Sequence, residues 1–258
     1  MRTDEATAAS TDRRDLRLEV LLVLGVSLGM DGIFALDDLI GRLTAPAPLA
    51  SQQAVLNGSQ APGRPWLDLS LQLLDMLAAI VPAVLALFLL VRSGQSLASI
   101  GLHRKRLKSD GAIGAGLACL IGIPGLGLVI AAHALGLNAQ IVAEDLPSIW
   151  WRYPVLVLSA LQNGALEEIV VVGYLLTRLE RIGWRPSRAL LASSVLRGSY
   201  HLYQGFGGFL GNFVMGLIFG YFFQRTKRVV PLIVAHTLID AASFVGYALL
   251  HTHVSWLG

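Results

Sequence analysis

The stretch that decides the fold runs from Ile149 to Leu176 and reads IWWRYPVLVLSALQNGALEEIVVVGYLL. It is long and apolar enough to cross a bilayer as a helix, yet Glu167 and Glu168 stand in its middle. A carboxylate at that depth is costly unless it is paired, hydrated or protonated, and such residues usually mark a working site. The sequence therefore predicts a functional site around this pair.

The composition is that of an integral membrane protein. Of 258 residues, 54% are hydrophobic and only 14% are charged, and the mean hydropathy is +0.62. A soluble domain of this size needs far more polar surface. The single cysteine, Cys119, lies in an apolar run, which excludes an intrachain disulfide and a cysteine-built metal site.

Seven apolar segments have a length close to the roughly 20 residues that a membrane-spanning helix needs, although the fifth and sixth are short. They are Leu18–Ile40, Leu69–Val91, Gly111–Leu135, Pro154–Thr177, Ala189–Tyr203, Gly208–Phe223 and Val229–Leu250. We predict an all-α, polytopic transmembrane helix bundle of about seven spans. Residues 1–17 are polar and are expected to form a cytoplasmic tail, with residues 18–258 as a single transmembrane domain.

The basic residues predict the orientation of the bundle, because positively charged short loops stay in the cytoplasm. They cluster before the first span, and after the second, fourth and sixth: Arg13, Arg14, Arg17, Arg92, Arg104, Lys105, Arg106, Lys108, Arg178, Arg181, Arg185, Arg188, Arg225, Lys227 and Arg228. An alternating bundle with a cytoplasmic amino terminus places all of them inside. The net charge of +3 is thus explained by basic loops on the cytoplasmic side of the lipid bilayer. We expect the protein to lie in the plasma membrane, and we expect no nucleic-acid partner.

Three predicted helices each carry one polar stripe. Glu167 shares a face with Asn163, whereas Glu168 is rotated by about 100°, so only one of the two glutamates is expected to point into a given cavity. Arg197 and His201 are four residues apart, and so are His236 and Asp240, which places each pair on one side of its helix.

This set of residue types suits hydrolysis. An ionised glutamate can take a proton from water, and a histidine can hold that water or donate a proton to the leaving group. A second histidine can stabilise the developing oxyanion. The same carboxylate and two imidazoles also make a reasonable Zn²⁺ ligand set of Glu167, His201 and His236.

The ordered motifs resemble those of the CPBP intramembrane proteases, also called the CAAX protease and bacteriocin-processing or Abi family. Glu167-Glu168-Ile-Val-Val-Val172, Arg197-Gly-Ser-Tyr-His201 and His236-Thr-Leu-Ile-Asp240 are similar to the family patterns EExxxR, FxxxH and HxxxN/D. Together they cover about residues 150–250, and each motif alone would be weak.

The resemblance implies an endopeptidase that hydrolyses a peptide bond in a membrane-associated protein or peptide. It assigns activation of the water to Glu167 and His201, and support of the oxyanion to His236 and Asp240. Members of the family have been described both as metalloproteases and as glutamate-dependent enzymes. We expect no metal, with Zn²⁺ as the alternative.

Two positions depart from the family patterns. Val172 stands where the first motif has arginine, and Arg197 stands where the second has an aromatic residue. We hypothesise that Arg197 neutralises Glu168 in place of the missing arginine, so that both residues support the site. Two alternatives stay open: a catalytically silent scaffold or immunity protein that keeps the fold, and, less favoured, a proton-coupled transporter.

Overall fold

The computed structural model describes residues 2–251, and the side chains from residue 13 onward except that of residue 104. Met1 and the last residues of the predicted domain, 252–258, lie outside the described part. The helices are α1 (Arg2–Gly25), α2 (Leu28–Thr44), α3 (Pro65–Arg92), α4 (Leu107–Ala134), α5 (Arg152–Glu167), α6 (Leu175–Ile182), α7 (Pro186–Ser199), α8 (Phe206–Thr226) and α9 (Val230–Leu250). A π-helical segment, Glu168–Tyr174, joins α5 to α6.

These elements confirm an all-α, polytopic bundle. Within residues 2–251, β-structure is limited to isolated bridges and two three-residue strands, β1 (Gln53–Val55) and β2 (Gln140–Val142), which pair in parallel. They join the two loops that lie on the side opposite the basic loops, called here the outer side.

The predicted number of about seven spans is too high for full-length helices. Five helical stretches in the described part are long and apolar enough to cross a membrane, or six when the bent pair α1–α2 counts as one span. The first predicted span is broken near Ser27, with a bend of 50°. The fifth corresponds to α7, whose 14 residues cover about 21 Å, less than the hydrocarbon thickness.

The chain nevertheless reaches the outer loop between α7 and α8. The backbone N–H of Ala139 donates to Gln204 O at 3.0 Å, and that of Phe206 donates to Leu137 O at 3.0 Å. Gly205 has φ +114, and a Cβ there would lie 2.4 Å from Leu137 O, so this turn requires glycine. The alternation on which the predicted orientation depends is therefore preserved.

The centre of the bundle is formed around the π segment. α5 packs along α9 and α3, α9 packs along α4, and α7 packs along α8. Residues 168–174 are all buried, together with Phe219 and Phe223 of α8 and Leu232 of α9. α4 lies at the periphery, where Ile123 is 73% exposed, as expected for a lipid-facing side chain.

A buried arginine ties the basic end of the bundle together. Arg178 is fully buried; its Nε donates to Glu19 Oε1 of α1 at 2.8 Å, and its Nη2 donates to Leu89 O of α3 at 2.8 Å. Tyr174 Oη donates to the same Glu19 oxygen at 2.9 Å. Because every charge in this group has a partner, α1 is fixed to α3 and α6 at low electrostatic cost.

Candidate active site

The change from α- to π-helix immediately follows Glu167. The next residues, Ile169, Val170, Val171 and Val172, are β-branched and crowd the preceding turn of an α-helix. The wider segment frees backbone carbonyls, and Ser193 Oγ of α7 donates to Val171 O at 2.9 Å. Such π segments are frequent at functional sites, and this one lies beside the second motif.

Both glutamates contact the same guanidinium, which the helical positions alone did not predict. Arg197 Nη2 lies 2.7 Å from Glu168 Oε1, and Arg197 Nη1 lies 3.3 Å from Glu167 Oε2. An arginine with several donors can approach from between two side chains that diverge by about 100°. The structure thus contains the ion pair that the hypothesis about Arg197 requires.

The two carboxylates differ in access. The Glu168 side chain is completely buried, whereas the Glu167 side chain is 11% exposed. Glu168 Oε1 also accepts a hydrogen bond from the ring Nδ1 of His236 at 2.8 Å, so that oxygen has two partners. Glu168 therefore holds α7 and α9 together, and Glu167 is the glutamate that can reach a water or a substrate.

The third motif continues this network along α9. His236 Nε2 lies 3.7 Å from Asp240 Oδ1, one turn further on. Asn163 Nδ2 of α5 donates to Asp240 Oδ2 at 3.4 Å. The sequence placed Asn163 on the face of Glu167 but did not predict this contact, because the register between α5 and α9 is set only by packing.

Gly164 allows α9 to approach α5 at this point. A Cβ at Gly164 would lie 2.8 Å from Thr237 Oγ1 and 3.1 Å from Ile233 O. Thr237 neighbours His236 in the chain. The absent side chain therefore lets His236 come within bonding distance of Glu168.

The second motif contributes a residue that the sequence reasoning missed. Tyr200 Oη donates to Glu167 Oε2 at 2.6 Å, and the Tyr200 side chain is buried. Its spacing of three residues from Arg197 was the available signal, since both then lie on one side of the helix. Tyr200 and Arg197 together hold the more accessible glutamate in place.

His201 lies two residues after the end of α7 and beside Tyr200, with a distance of 4.8 Å between ring centroids. Its Nδ1 is 3.0 Å from Arg197 O. A carbonyl oxygen only accepts, so Nδ1 carries the hydrogen and Nε2 of a neutral ring is a free acceptor. All six predicted residues, Glu167, Glu168, Arg197, His201, His236 and Asp240, thus belong to one region formed by α5, α7 and α9.

A Zn²⁺ ion requires a set of ligands among the side chains that the structure describes. Among the residues whose side chains are described, no three His, Cys, Asp or Glu side chains are placed so that they could hold a metal ion. His236 Nδ1 bonds Glu168, and His236 Nε2 lies 3.7 Å from Asp240 Oδ1. Zn²⁺ binding by Glu167, His201 and His236 stays an untested prediction.

Comparison with known proteins gives one family for this region. Residues 149–242 match the family described as Rce1-like, type II CAAX prenyl endopeptidase Rce1-like. No curated protein and no solved structure matches the chain. The matched residues contain all three motifs and the whole polar network, so this region is similar to the CPBP, or CAAX protease, family of endopeptidases. The apolar helices are those of a multi-pass membrane protein.

Proposed function

We propose that this protein is an intramembrane endopeptidase in which Glu167 activates a water molecule for hydrolysis of a peptide bond. One observation carries the proposal: the more accessible of two buried carboxylates is positioned by Tyr200 and Arg197 next to two histidines from other helices. Glu168 already supplies the structural ion pair to Arg197. If Glu167 were purely structural, the contacts that position it beside the histidines would not be needed.

The proposed chemistry begins with a water held between Glu167 and His201. Glu167 takes one proton from the water, and the resulting hydroxide adds to the carbonyl carbon of the scissile bond. The free Nε2 of His201 accepts a hydrogen bond from this water and so orients it. His201 Nε2 then takes the second proton, from the hydroxyl group of the tetrahedral intermediate, and delivers it to the leaving nitrogen as the C–N bond breaks. The products are a carboxylate and an amine, and Glu167 releases the first proton to solvent.

His236 and Asp240 are proposed to support the tetrahedral intermediate. A His236 ring that carries hydrogen on both nitrogens can donate from Nε2 to the oxyanion while Nδ1 remains bonded to Glu168. Asp240 lies one turn away and orients that ring. An ionised Asp240 has no hydrogen to donate, so its role here is positioning.

The substrate is proposed to be a membrane-associated protein or peptide in the plasma membrane. The matching family is described as acting on CAAX prenyl substrates, and a cleavage site near the membrane surface suits a glutamate placed inside the bundle. The silent-scaffold alternative rests on Val172 in the first motif. Arg197 argues against it, because it supplies to Glu168 the positive charge that the motif lacks.

The proposal is tested by comparing membrane-fraction proteomes from cells that express wild type, Glu167→Gln or His201→Ala at equal levels. We expect substrates to accumulate uncleaved in both variants. Glu180→Gln is the control for the acid, since Glu180 pairs with Lys227 at the surface. His251→Ala is the control for the imidazole, because His251 Nδ1 bonds the carbonyl four residues earlier as His201 does. Cleavage that survives in both site variants contradicts the proposal.

A further inference from the structure

A polar cavity opens on the outer side of the bundle and extends to Asn163, which bonds Asp240 of the proposed site. Its volume is about 180 Å³, which is large enough to hold several water molecules. It lies between the outer loop, α3 and α5. The lining residues are Leu56, Asn57, Gly58, Gln60, Gln72, Asp75, Met76, Ser159, Gln162 and Asn163.

The cavity penetrates the apolar part of the bundle. Asp75 is ten residues after the start of α3, and Gln162 is ten residues after the start of α5, which places both about 15 Å along their helices. Polar side chains at that depth are expensive when they face lipid. A hydrated cavity removes that cost.

Part of the lining is a fixed polar wall. Ser159 Oγ donates to Asn57 Oδ1 at 2.7 Å, and Asn57 Nδ2 donates to Ala143 O at 2.9 Å. Gln72 Nε2 donates to Gly58 O at 2.8 Å. These bonds attach the outer loop to both helices and hold the cavity open beneath it.

Other lining groups are left for a ligand. Among the side chains that the structure describes, neither Asp75 nor Gln162 has a hydrogen-bond or ion-pair partner. The mouth is accessible because Gln60 in the outer loop is exposed. At the inner end, Asn163 donates to Asp240 Oδ2 at 3.4 Å, so the cavity and the polar network share one residue.

We infer that this cavity is an aqueous vestibule through which water and the polar part of a peptide reach the site from the outer side, opposite the basic loops. Its amide and carboxylate groups complement the N–H and C=O groups of a peptide backbone. The assignment to substrate entry rests on the proposed function, whereas the hydration and the sidedness of the cavity do not.

The vestibule is tested by cysteine labelling in a Cys119→Ala background, which removes the only native thiol. Gln162→Cys and Asp75→Cys are each treated with a permanently charged, membrane-impermeant methanethiosulfonate, added either to intact cells or to inverted vesicles. The thiolate is the reacting form and requires water. We expect labelling from the outside, at least roughly ten-fold faster than at lipid-facing controls.

The controls are the neighbouring residues on the same helices. Leu161→Cys and Leu74→Cys lie at the same depth, and their parent side chains are 48% and 58% exposed on the lipid side. Equal rates at test and control positions, or labelling from inverted vesicles alone, would overturn the inference. The measurement is repeated with Glu167→Gln added, where labelling must persist, so that a failure of the vestibule is separable from a failure of the protease proposal.

A second measurement addresses substrate entry. Labelling Gln162→Cys places a bulky cation in the vestibule, and we expect it to abolish substrate cleavage in the membrane fraction, while the same reagent leaves the Leu161→Cys protein active. Full activity of the labelled Gln162→Cys protein would show that substrate and water arrive by another route.

Discussion

Arg197 donates to Glu168 across 2.7 Å, from α7 to the first residue of the π segment, and both side chains are completely buried. The pair joins the two motifs that depart from the family patterns, the first at Val172 and the second at Arg197. A guanidinium on the second motif helix supplies the charge that an arginine at position 172 would otherwise supply to the first.

Removal of Arg197 should therefore destabilise the fold. Arg197→Ala leaves Glu168 buried without its cation, which costs about 3–5 kcal/mol. We expect a lower yield of folded protein and a lower melting temperature in detergent, measured by thermal unfolding of the purified protein. Arg42→Ala is the control, because Arg42 pairs with the exposed Asp38 and such pairs contribute about 0–1 kcal/mol.

The charge can be moved back to the first motif helix. Arg197→Phe combined with Val172→Arg places the arginine one turn from Glu168, where the family has it, and should recover both folding and cleavage. Well-expressed double variants that remain unfolded or inactive would show that Arg197 does more than neutralise Glu168.

The two adjacent glutamates should separate into a catalytic and a structural role. Glu167→Gln keeps the hydrogen bond from Tyr200 but removes the base, so cleavage should fall by at least about 100-fold while the melting temperature changes little. Glu168→Gln weakens the contacts to Arg197 and His236 and should mainly lower the melting temperature. If Glu168→Gln abolished cleavage and Glu167→Gln mainly lowered the melting temperature, Glu168 would be the catalytic residue and Glu167 the structural one.

The helical class was predictable from the sequence, and so was the convergence of the three motifs on one region, because intramembrane charges are strong local signals. The orientation stays a prediction. Contacts between helices could not be predicted in the same way. The joint approach of Glu167 and Glu168 to Arg197 depends on the direction from which α7 packs, and the Asn163–Asp240 contact depends on the register of α5 against α9. The sequence showed that α7 is short, but it did not show whether this helix crosses the membrane by itself.

Tyr200 should position Glu167, the proposed catalytic carboxylate. Tyr200→Phe keeps the buried ring and removes the hydroxyl that donates to Glu167 Oε2 at 2.6 Å. A hydrogen bond to a charged group contributes about 1.5–3 kcal/mol, so we expect a loss of about 10- to 100-fold in kcat/KM. Tyr203→Phe is the matched control, because the Tyr203 hydroxyl accepts from Gln204 instead. Equal effects of the two substitutions would remove the positioning role.

Close packing at Gly164 should be required for the site to form. Gly164→Val would place carbon atoms against Thr237 and Ile233 of α9, and overpacking of this kind costs about 1–3 kcal/mol. We expect cleavage to fall further than stability, because the displacement of α9 separates His236 from Glu168. Gly125→Val on α4, where nothing lies within 4 Å of a built Cβ, should be tolerated; similar losses at both positions would refute the packing explanation.

Asp240 should tolerate replacement by asparagine, the other residue that the third motif allows. In Asp240→Asn, a flipped Asn163 amide can offer Oδ1 to the new Nδ2, so the contact between α5 and α9 survives with donor and acceptor exchanged. The new amide can also donate to an oxyanion, which an ionised carboxylate cannot. We therefore expect kcat/KM within about ten-fold of wild type, and a much larger loss for Asp240→Leu, which keeps the volume but removes both polar atoms. Measured on the same membrane substrate, an Asp240→Asn protein as inactive as Asp240→Leu would mean that the negative charge itself is needed next to His236.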